Sequence, residues 1–298
     1  MPAERVTVAW IGTGKMGGPM ARRLLAAGWP VVAVDPSEAN VASVLAAGGR
    51  RAASPAGAAR QADIAFTMLP DDDSLRAVAL GDDGVLAGLP AGAVFVDMST
   101  VSPAVSAEVR TAAQVGGVDF LAAPVAGSTQ LAETGGLGVM ASGPLAAYER
   151  AAPLLDVLAK SRFRLGPGEE GRWMKLCLNL VIAQTAVAWG EALAIGRKGG
   201  VDWQHMLDVF AASAIASPFV GYKAGPLARR DFAPAFAAKQ MHKDMRLLAE
   251  AADSAGVPAP ATELARATFA ELVARGWGDD DLVATVKLSE GRAGLDEP

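Results

Sequence analysis

The most specific pattern in the first half of the chain is Val6-Thr7-Val8-Ala9-Trp10-Ile11-Gly12-Thr13-Gly14-Lys15-Met16-Gly17. Its first six residues are mostly apolar and are typical of a buried strand. The G-x-G-x-x-G turn that follows opens a helical pattern that ends at Gly28. In this setting Gly12 permits a tight turn, Gly14 lets the backbone approach a pyrophosphate, and Gly17 allows close helix packing. The stretch predicts a dinucleotide site at a helix N-terminus, although glycine-rich segments also occur as plain turns.

Residues 1–165 alternate short apolar runs with segments of helix length. Further strands are predicted at Val31–Val34, Ile64–Leu69, Val94–Asp97 and Phe120–Val125, and runs at Gly138–Ala141 and Arg162–Leu165 are candidates to extend the sheet. Strands separated by helices imply βαβ crossovers and a mostly parallel sheet. We therefore predict an α/β, Rossmann-type, doubly wound NAD-binding domain over residues 1–165.

The pattern changes after Gly166-Pro167-Gly168, where β-branched runs give way to windows rich in alanine and leucine. The helices predicted there are Trp173–Lys198, Trp203–Ala212, Pro234–Ala255 and Pro260–Arg275. The first is long and nearly apolar all round, which is typical of a helix buried on several sides. It is expected to be the spine that joins the domains or a subunit contact. Residues 166–298 are predicted to form an all-α C-terminal domain.

Composition excludes several classes of protein. With 51% hydrophobic and 20% charged residues, the 298-residue chain is not a disordered one. A net charge of −5 without a long basic run makes nucleic acid a poor partner. The apolar stretch Leu176–Ile195 is interrupted by Asn179, Gln184 and Glu191, so no membrane span is predicted. No secretory signal pattern is found, and the single cysteine, Cys177, fits a reducing compartment, so a cytoplasmic location is expected.

Asp35 follows the second predicted strand, near the spacing of about 20 residues at which a carboxylate accepts the adenosine ribose hydroxyls. A 2′-phosphate at that place would meet like charge, and Pro36-Ser37-Glu38 offers no arginine to hold it. NAD is therefore favoured over NADP. A second role for Asp35, capping the helix that starts near Glu38, is compatible with the first.

Two other segments leave the carboxyl ends of strands, where ligands bind in open α/β sheets. They are Met68-Leu69-Pro70 and the run Asp97–Pro103. In the second, Ser99 or Thr100 either caps the next helix or contacts the nicotinamide ribose. The acidic triplets Asp71–Asp73 and Asp279–Asp281 are interpreted as N-caps and first-turn acids, and no metal is predicted.

Hydride transfer to or from a nicotinamide requires a positioned acid or base. His205 and His242 are weak candidates, because a lone helical histidine is usually structural or exposed to solvent. Lys175 enters the long apolar helix, and Asn179 follows at i+4 on the same face. Burial would bring the lysine pKa toward neutrality, as acid–base catalysis requires. The alternative is a lysine that snorkels at a helix start.

Two further features have an anion-binding and an ordinary interpretation. The loop Pro124–Thr129 follows a strand, so it either presents backbone N–H groups to a carboxylate or is a simple turn. Lys239, Lys243 and Arg246 recur at helical spacing and form a basic stripe. Such a stripe is usually a solvated helix face, and an anion-binding site is the less common interpretation.

Together these segments resemble the β-hydroxyacid dehydrogenase family, which includes 3-hydroxyisobutyrate dehydrogenase. The blocks that match in order are Gly12–Gly17, Met68–Pro70, Asp97–Pro103, Pro124–Gly127, Lys175 with Asn179, Lys243-Asp244 and Gly276–Asp281. Each block alone is weak, and the ordered set, which spans about residues 6–288, is specific.

The resemblance implies a Rossmann domain, a helical C-terminal domain like that of 6-phosphogluconate dehydrogenase, and a homodimer or homotetramer. It makes Lys175 the general acid/base, and it assigns the substrate to Gly127, Ser128 and Asn179. The cofactor contacts that it implies are Gly12, Thr13, Gly14, Lys15, Met16, Gly17, Asp35, Met68, Leu69, Pro70, Thr100 and Lys243. The reaction it implies is NAD-dependent oxidation of a 3-hydroxy acid, with a small hydroxy acid or semialdehyde as substrate.

Three positions depart from the pattern of the family. Ala122 stands where an acid is usual, Ala126 where a serine is usual, and Leu178 where a first asparagine is usual. The Ala126 departure removes a hydroxyl donor that Ser128 could partly replace, so the pocket should be less polar.

The alternatives are an NADPH-dependent glyoxylate or succinic semialdehyde reductase, an imine reductase, and a non-catalytic nucleotide-binding protein. A loop with Ser128 resembles that of the semialdehyde reductases, but Asp35 argues against their NADPH. The intact pair of Lys175 and Asn179 argues against the other two alternatives.

Overall fold

The computed structural model describes residues 6–295, and the chain divides into two compact units, residues 1–175 and 176–298. The first unit contains a nine-stranded sheet. Its strands are β1 Val8–Ile11, β2 Val31–Val34, β3 Arg50–Arg51, β4 Ile64–Thr67, β5 Val94–Asp97, β6 Asp119–Ala122, β7 Val125–Ala126, β8 Leu137–Ser142 and β9 Ala159–Gly166. The strand order β3-β2-β1-β4-β5-β6 is parallel throughout and is that of a Rossmann sheet. The predicted fold class is confirmed.

Helices cover both faces of this sheet. They are α1 Gly17–Ala26, α2 Glu38–Ala46, α3 Pro55–Ala59, α4 Asp72–Leu80, α5 Val85–Gly88, α6 Pro103–Val115, α7 Thr129–Thr134 and α8 Leu145–Leu158. The alternation of side chains along β1 divides the core in two, because Val8 and Trp10 join one apolar cluster while Ala9 and Ile11 join the other. A strand buried on both faces explains why the sequence shows a continuous apolar run there.

The sheet differs from the prediction near Phe120–Val125, which splits into β6 and β7. Pro124 has no N–H to donate to a ladder, and the chain turns there so that β7 pairs with β8 in antiparallel fashion. The two candidate runs do extend the sheet, as β8 and β9, which pair in parallel. The predicted boundary near residue 165 stays a prediction, and the two compact units meet ten residues later along the chain, inside a helix.

That helix, α9 Glu170–Lys198, begins in the first unit and continues into the second. The other helices of the second unit are α10 Trp203–Ala212, α11 Pro218–Ala228, α12 Ala238–Ser254, α13 Pro260–Ala274 and α14 Thr285–Arg292, with a 3₁₀ turn at Leu282–Ala284. Within residues 176–295 no strand occurs, and only one isolated bridge, between Ala237 and Asp281, is formed. The all-helical prediction is confirmed.

Helix α9 is long and apolar enough to cross a membrane by length and composition alone. The core helix of a soluble protein meets the same test, and 44% of the most apolar window of α9 is buried inside the fold. The helix also holds a buried amide, Asn179, paired with a carboxylate of α12. The absence of a membrane span remains a prediction from the sequence.

Candidate active site

The glycine-rich turn between β1 and α1 has the geometry that the sequence predicts. Gly12 has φ +90°, and a Cβ there would lie 2.3 Å from the Met68 carbonyl oxygen. A Cβ on Gly17 would lie 1.9 Å from the Gly12 carbonyl oxygen. At Gly14 the nearest atom to an added Cβ is Asn40 Nδ2 at 3.9 Å, so the backbone is open there. The first and third glycines are required by packing, and the second leaves room for a ligand.

Thr13 shows that the turn fits an anion. Its side chain is buried, and its Oγ1 has no hydrogen-bond partner among the described residues. Buried hydroxyls are nearly always hydrogen-bonded, so an orphan beside the start of a helix fits a phosphate oxygen of a dinucleotide. The residues present therefore suit the cofactor that the motif predicts.

Asp35 holds this turn from the end of β2. Its Oδ2 accepts a hydrogen bond from Thr13 N at 2.7 Å, and its Oδ1 accepts from Ser37 N at 2.9 Å and Asn40 Nδ2 at 3.1 Å. Ser37, not Asp35, is the N-cap of α2. A carboxylate offers about four acceptor positions, so one stays available for a ribose hydroxyl. Asn40 is not among the residues predicted from the sequence, and its place in the first turn of α2 is the signal that could have indicated it.

The two cofactor segments at the ends of β4 and β5 are joined by a buried serine. Leu69 N donates to Ser99 Oγ at 2.9 Å, and Ser99 Oγ donates to Asp97 Oδ1 at 2.6 Å. The N-cap of α6 is Ser102, so neither Ser99 nor Thr100 has the capping role that we considered. Ser99 is fully buried and braces the segment, whereas Thr100 is half-buried and stays a predicted cofactor contact.

The triplet Asp71–Asp73 acts as the sequence predicts, because Asp71 is the N-cap of α4 and Asp72 and Asp73 lie in its first turn. In the second triplet Asp281 caps the 3₁₀ turn, but Asp279 and Asp280 precede that turn and form ion pairs with Lys239 and Lys287 instead. Within residues 6–295 no group of three or more His, Cys, Asp or Glu side chains is arranged to hold a metal ion.

The start of α9 carries a buried cation that the sequence analysis did not single out. Arg172 is 1% exposed, and its guanidinium donates to Asp97 Oδ2 at 2.5 Å, to the Ser99 carbonyl at 2.6 Å and to Ser106 Oγ at 3.0 Å. Lys175 follows one turn later and is half-buried. An arginine within an apolar helix, three residues before the candidate base, was the available signal.

Asn179 lies on α9 one turn beyond Lys175, so the predicted i, i+4 pair shares one helix. Asn179 is 2% exposed and donates from Nδ2 to Asp244 Oδ2 at 2.6 Å. The other oxygen of Asp244 lies 3.2 Å from Lys243 Nζ. The structure thus links the predicted substrate amide to the predicted cofactor lysine through Asp244, whose bridging role the sequence did not reveal.

The predicted substrate loop lies between β7 and α7. Gly127 has φ +137°, and a Cβ there would lie 2.8 Å from Leu137 Cδ2, so glycine is required. Ser128 caps α7, because its Oγ accepts from Leu131 N at 3.4 Å. That bond uses an acceptor position of the hydroxyl and leaves its proton available as a donor.

The remaining candidates lie in the second unit. Lys239 pairs with Asp279 at 2.6 Å and Arg246 with Glu250 at 2.8 Å, and all four side chains are at least half exposed. These two cations of the basic stripe therefore form an ordinary solvated face. The side chain of His205 is 79% exposed. His242 is half-buried, and its Nδ1 has no partner within the described residues.

Two family models cover almost the whole chain. Residues 7–166 match the NAD-binding domain of 6-phosphogluconate dehydrogenase, and residues 169–289 match the NAD-binding model of NADP-dependent 3-hydroxyisobutyrate dehydrogenase. The chain belongs to the β-hydroxyacid dehydrogenase family. The members of this family are NAD(P)-dependent oxidoreductases, and the predicted NAD(P)-binding domain is confirmed.

Individual relatives extend over nearly the full length. The chain is 35% identical to 2-(hydroxymethyl)glutarate dehydrogenase of Eubacterium barkeri, over 98% of this chain and 97% of that one. It is 31% identical to NAD-dependent L-serine dehydrogenase of Pseudomonas aeruginosa, over 96% and 99%. The structure of 3-hydroxyisobutyrate dehydrogenase of Mycobacterium tuberculosis with L-serine superposes with a TM-score of 0.86 at 29% identity, over 96% of this chain and 99% of that one.

Proposed function

We propose that this protein catalyses the reversible NAD-dependent oxidation of a 3-hydroxy acid, with Lys175 as general acid/base. One observation carries the proposal. The buried network of Arg172, Asp97 and Ser99 ties the start of the helix that bears Lys175 to the strand ends that bear the cofactor segments. A candidate base and the cofactor-binding turns are therefore parts of one packed unit, as hydride transfer coupled to proton transfer requires.

The relatives support the class of substrate. 2-(Hydroxymethyl)glutarate, L-serine and 3-hydroxyisobutyrate, the compounds in the names of these relatives, share one skeleton. Each has a hydroxymethyl group on the carbon that bears a carboxylate, and they differ in the third substituent of that carbon. We propose a substrate with the same skeleton and an apolar third substituent, because Ala126 and Leu178 replace polar residues that are usual at these positions.

Each residue then has a chemical task. The bound nicotinamide supplies the hydride acceptor. Lys175, in its neutral amine form, takes the proton of the substrate hydroxyl, and in the reverse direction it returns that proton to the carbonyl oxygen. Asn179 orients the substrate from the next turn of α9, held in place by Asp244. Gly127 and Ser128 supply N–H and O–H donors for the substrate carboxylate.

Asp35 supports NAD as the cofactor. Its carboxylate already accepts three hydrogen bonds, and it keeps one acceptor position for a ribose hydroxyl. A 2′-phosphate in its place would be repelled by that charge.

The test is an assay in which absorbance monitors the reduction of NAD⁺ or NADP⁺ by a panel of 3-hydroxy acids that differ in the third substituent. We expect turnover with NAD⁺ and a kcat about 10²–10⁴-fold lower in Lys175→Ala, with NADH binding unchanged. Lys198→Ala is the matched control, since Lys198 is exposed at the far end of the same helix.

Other outcomes would replace the proposal. Normal turnover in Lys175→Ala would remove the acid/base assignment. Activity confined to aldehydes or imines with NADPH would favour the reductase alternatives, and tight NADH binding without any turnover would favour a non-catalytic protein.

We also propose that this chain forms a homo-oligomer, as the sequence predicts. In this proposal a second copy of the chain covers an apolar surface on the second unit. A groove of about 610 Å³ lies along α9 and the start of α11, and its lining is almost wholly apolar. Val181 and Ile215, in its wall, are 63% and 60% exposed. Contiguous apolar surface of this kind is typical of an interface. Light scattering should give a dimer or tetramer for the wild type and a smaller species for Val181→Glu, and a wild-type monomer would contradict the proposal.

A further inference from the structure

We infer that Arg172 is a positioning residue, whose guanidinium fixes Lys175 relative to the cofactor-binding turns. The inference rests on the proposed function, in which Lys175 transfers the proton.

The contacts of Arg172 define its orientation completely. Its three nitrogens donate to three acceptors on two elements of the first unit, namely Asp97 and Ser99 at the end of β5 and Ser106 on α6. A planar guanidinium held at all three nitrogens can neither rotate nor slide, whereas a lysine ammonium in the same place would be a point charge on a flexible stem. Arginine therefore supplies direction as well as charge.

The network continues from Asp97 to the cofactor segments. The second oxygen of Asp97 accepts from Thr67 Oγ1 at 2.5 Å and from Ser99 Oγ at 2.6 Å. Ser99 Oγ in turn accepts from Leu69 N at 2.9 Å. An unbroken chain of hydrogen bonds thus runs from the backbone of a predicted cofactor residue, Leu69, to the helix turn that precedes Lys175.

The same helix turn is held on its other side. Gly171 N donates to Ser142 Oγ at 3.1 Å, and a Cβ on Gly171 would lie 2.3 Å from the Met140 carbonyl oxygen. The first turn of α9 therefore lies directly against β8, with no room to move toward it. Because one turn of an α-helix is stiff and rises about 5.4 Å, fixing residues 171 and 172 also fixes the Cα of Lys175.

Stability alone does not explain this arrangement. Burying an arginine and an aspartate removes both charges from water, and that desolvation offsets most of their attraction. Apolar side chains of similar size would contribute as much to folding. What the charged network supplies in addition is a fixed geometry between the helix turn that bears Lys175 and the cofactor turns. A misplacement of about 1 Å in an active site costs on the order of 10² in rate.

The test is Arg172→Lys, which keeps the positive charge and loses the planar guanidinium with its three donor nitrogens, here called the fork. We expect kcat per NADH-binding site to fall at least about tenfold, with the Kd of NADH within about threefold of wild type and a larger solvent isotope effect on kcat. Arg230→Lys is the matched control. Arg230 holds Glu290 through two contacts in the second unit, and the same loss of a fork there should leave kcat per site within about twofold.

The outcomes are distinct. If Arg172 only stabilises the fold, Arg172→Lys would lower the melting temperature and the number of NADH-binding sites, while kcat per site would stay at the wild-type value. That result would overturn the inference. Should Arg172→Lys fail to fold, the neutral pair Arg172→Met with Asp97→Asn decides the question by the same two readouts. Failure of the proposed function looks different, because either wild type would show no turnover or Lys175→Ala would remain active.

Discussion

Among the described residues, each unit of the molecule contains an ion pair whose two side chains are almost completely buried. Asp97 and Arg172 in the first unit, and Lys223 and Asp281 in the second, both have an N–O separation of 2.5 Å. All four side chains are at most 3% exposed. Both pairs join a cation to an aspartate, but Arg172 binds three acceptors through its three nitrogens, whereas Lys223 binds Asp281 through one ammonium. The two pairs also differ in what each of them holds.

The second pair holds backbone that has no predicted role in the site. The Asp281 carboxylate accepts from the N–H groups of Ala235, Phe236 and Val283 as well as from Lys223. It connects α11 to the segment that precedes α12 and to the 3₁₀ turn that follows α13. The Asp97 carboxylate, by contrast, contacts Ser99, Thr67 and Arg172, which lead to the cofactor turns and to Lys175. Burial of a charge pair is thus uninformative about function until its neighbours are known.

The largest expected effect is on stability, in Asp281→Asn. The buried Lys223 ammonium loses its counter-charge, so the free energy of unfolding should fall by about 3–5 kcal/mol in urea titrations. The kcat per NADH-binding site should stay within about twofold of wild type. Lys223→Met combined with Asp281→Asn is the control, and it should recover most of the lost stability. A large loss of kcat per site in the single variant would mean that the two pairs do not differ as described.

A second comparison uses a threonine from each unit. Thr67→Val removes a donor to the Asp97 carboxylate and should cost about 1.5–3 kcal/mol, because the acceptor is charged. Thr285→Val removes a donor to the Ala186 carbonyl and should cost only about 0.5–1.5 kcal/mol. Both losses of unfolding free energy would be measured by denaturant unfolding. Equal losses would show that the Asp97 network has no charge-assisted character.

Ser106→Ala tests the weakest contact of the arginine fork. It removes the acceptor at 3.0 Å from Arg172 Nε and leaves the other two contacts in place. We expect a stability loss of about 1 kcal/mol and a fall in kcat per site of about threefold, smaller than in Arg172→Lys. The control is Thr111→Ala on the exposed face of the same helix, which should match wild type. A kcat identical to wild type in Ser106→Ala would confine the positioning role to the remaining two contacts.

The smallest effect is a dependence of stability on pH. Burial lowers the pKa of Lys223 below its usual 10.5, although the nearby Asp281 partly opposes that shift. Between the lowered pKa and 10.5 the unfolded chain binds more protons than the folded one, so the free energy of unfolding should rise with pH in that interval. The rise should be absent from the Lys223→Met, Asp281→Asn variant, measured by urea unfolding from about pH 8 to about pH 10. A wild-type curve parallel to that of the variant would contradict the shift.

Features that depend on neighbours in the sequence were predicted well. The bounds of β2, β5 and α10 match the expected ones, since apolar runs and turn residues act locally. Helices α11 and α14 were missed. The helical pattern of α11 is weakened by Gly221, Gly225 and Pro226. The helix forms nevertheless, with Val220 and Leu227 buried. Tertiary packing there outweighs propensity.

The candidate site divides in the same way. The glycine-rich turn, Asp35 and the i, i+4 pair of Lys175 and Asn179 could be predicted from the sequence, because each depends on spacing along one strand end or one helix. The pairing of Arg172 with Asp97 and of Asn179 with Asp244 could not, since these partners lie 75 and 65 residues apart and meet through folding. A buried charge must find a partner to offset its desolvation, yet nothing local to Arg172 names that partner, since the choice is made by which strand end the folded sheet brings beside the helix.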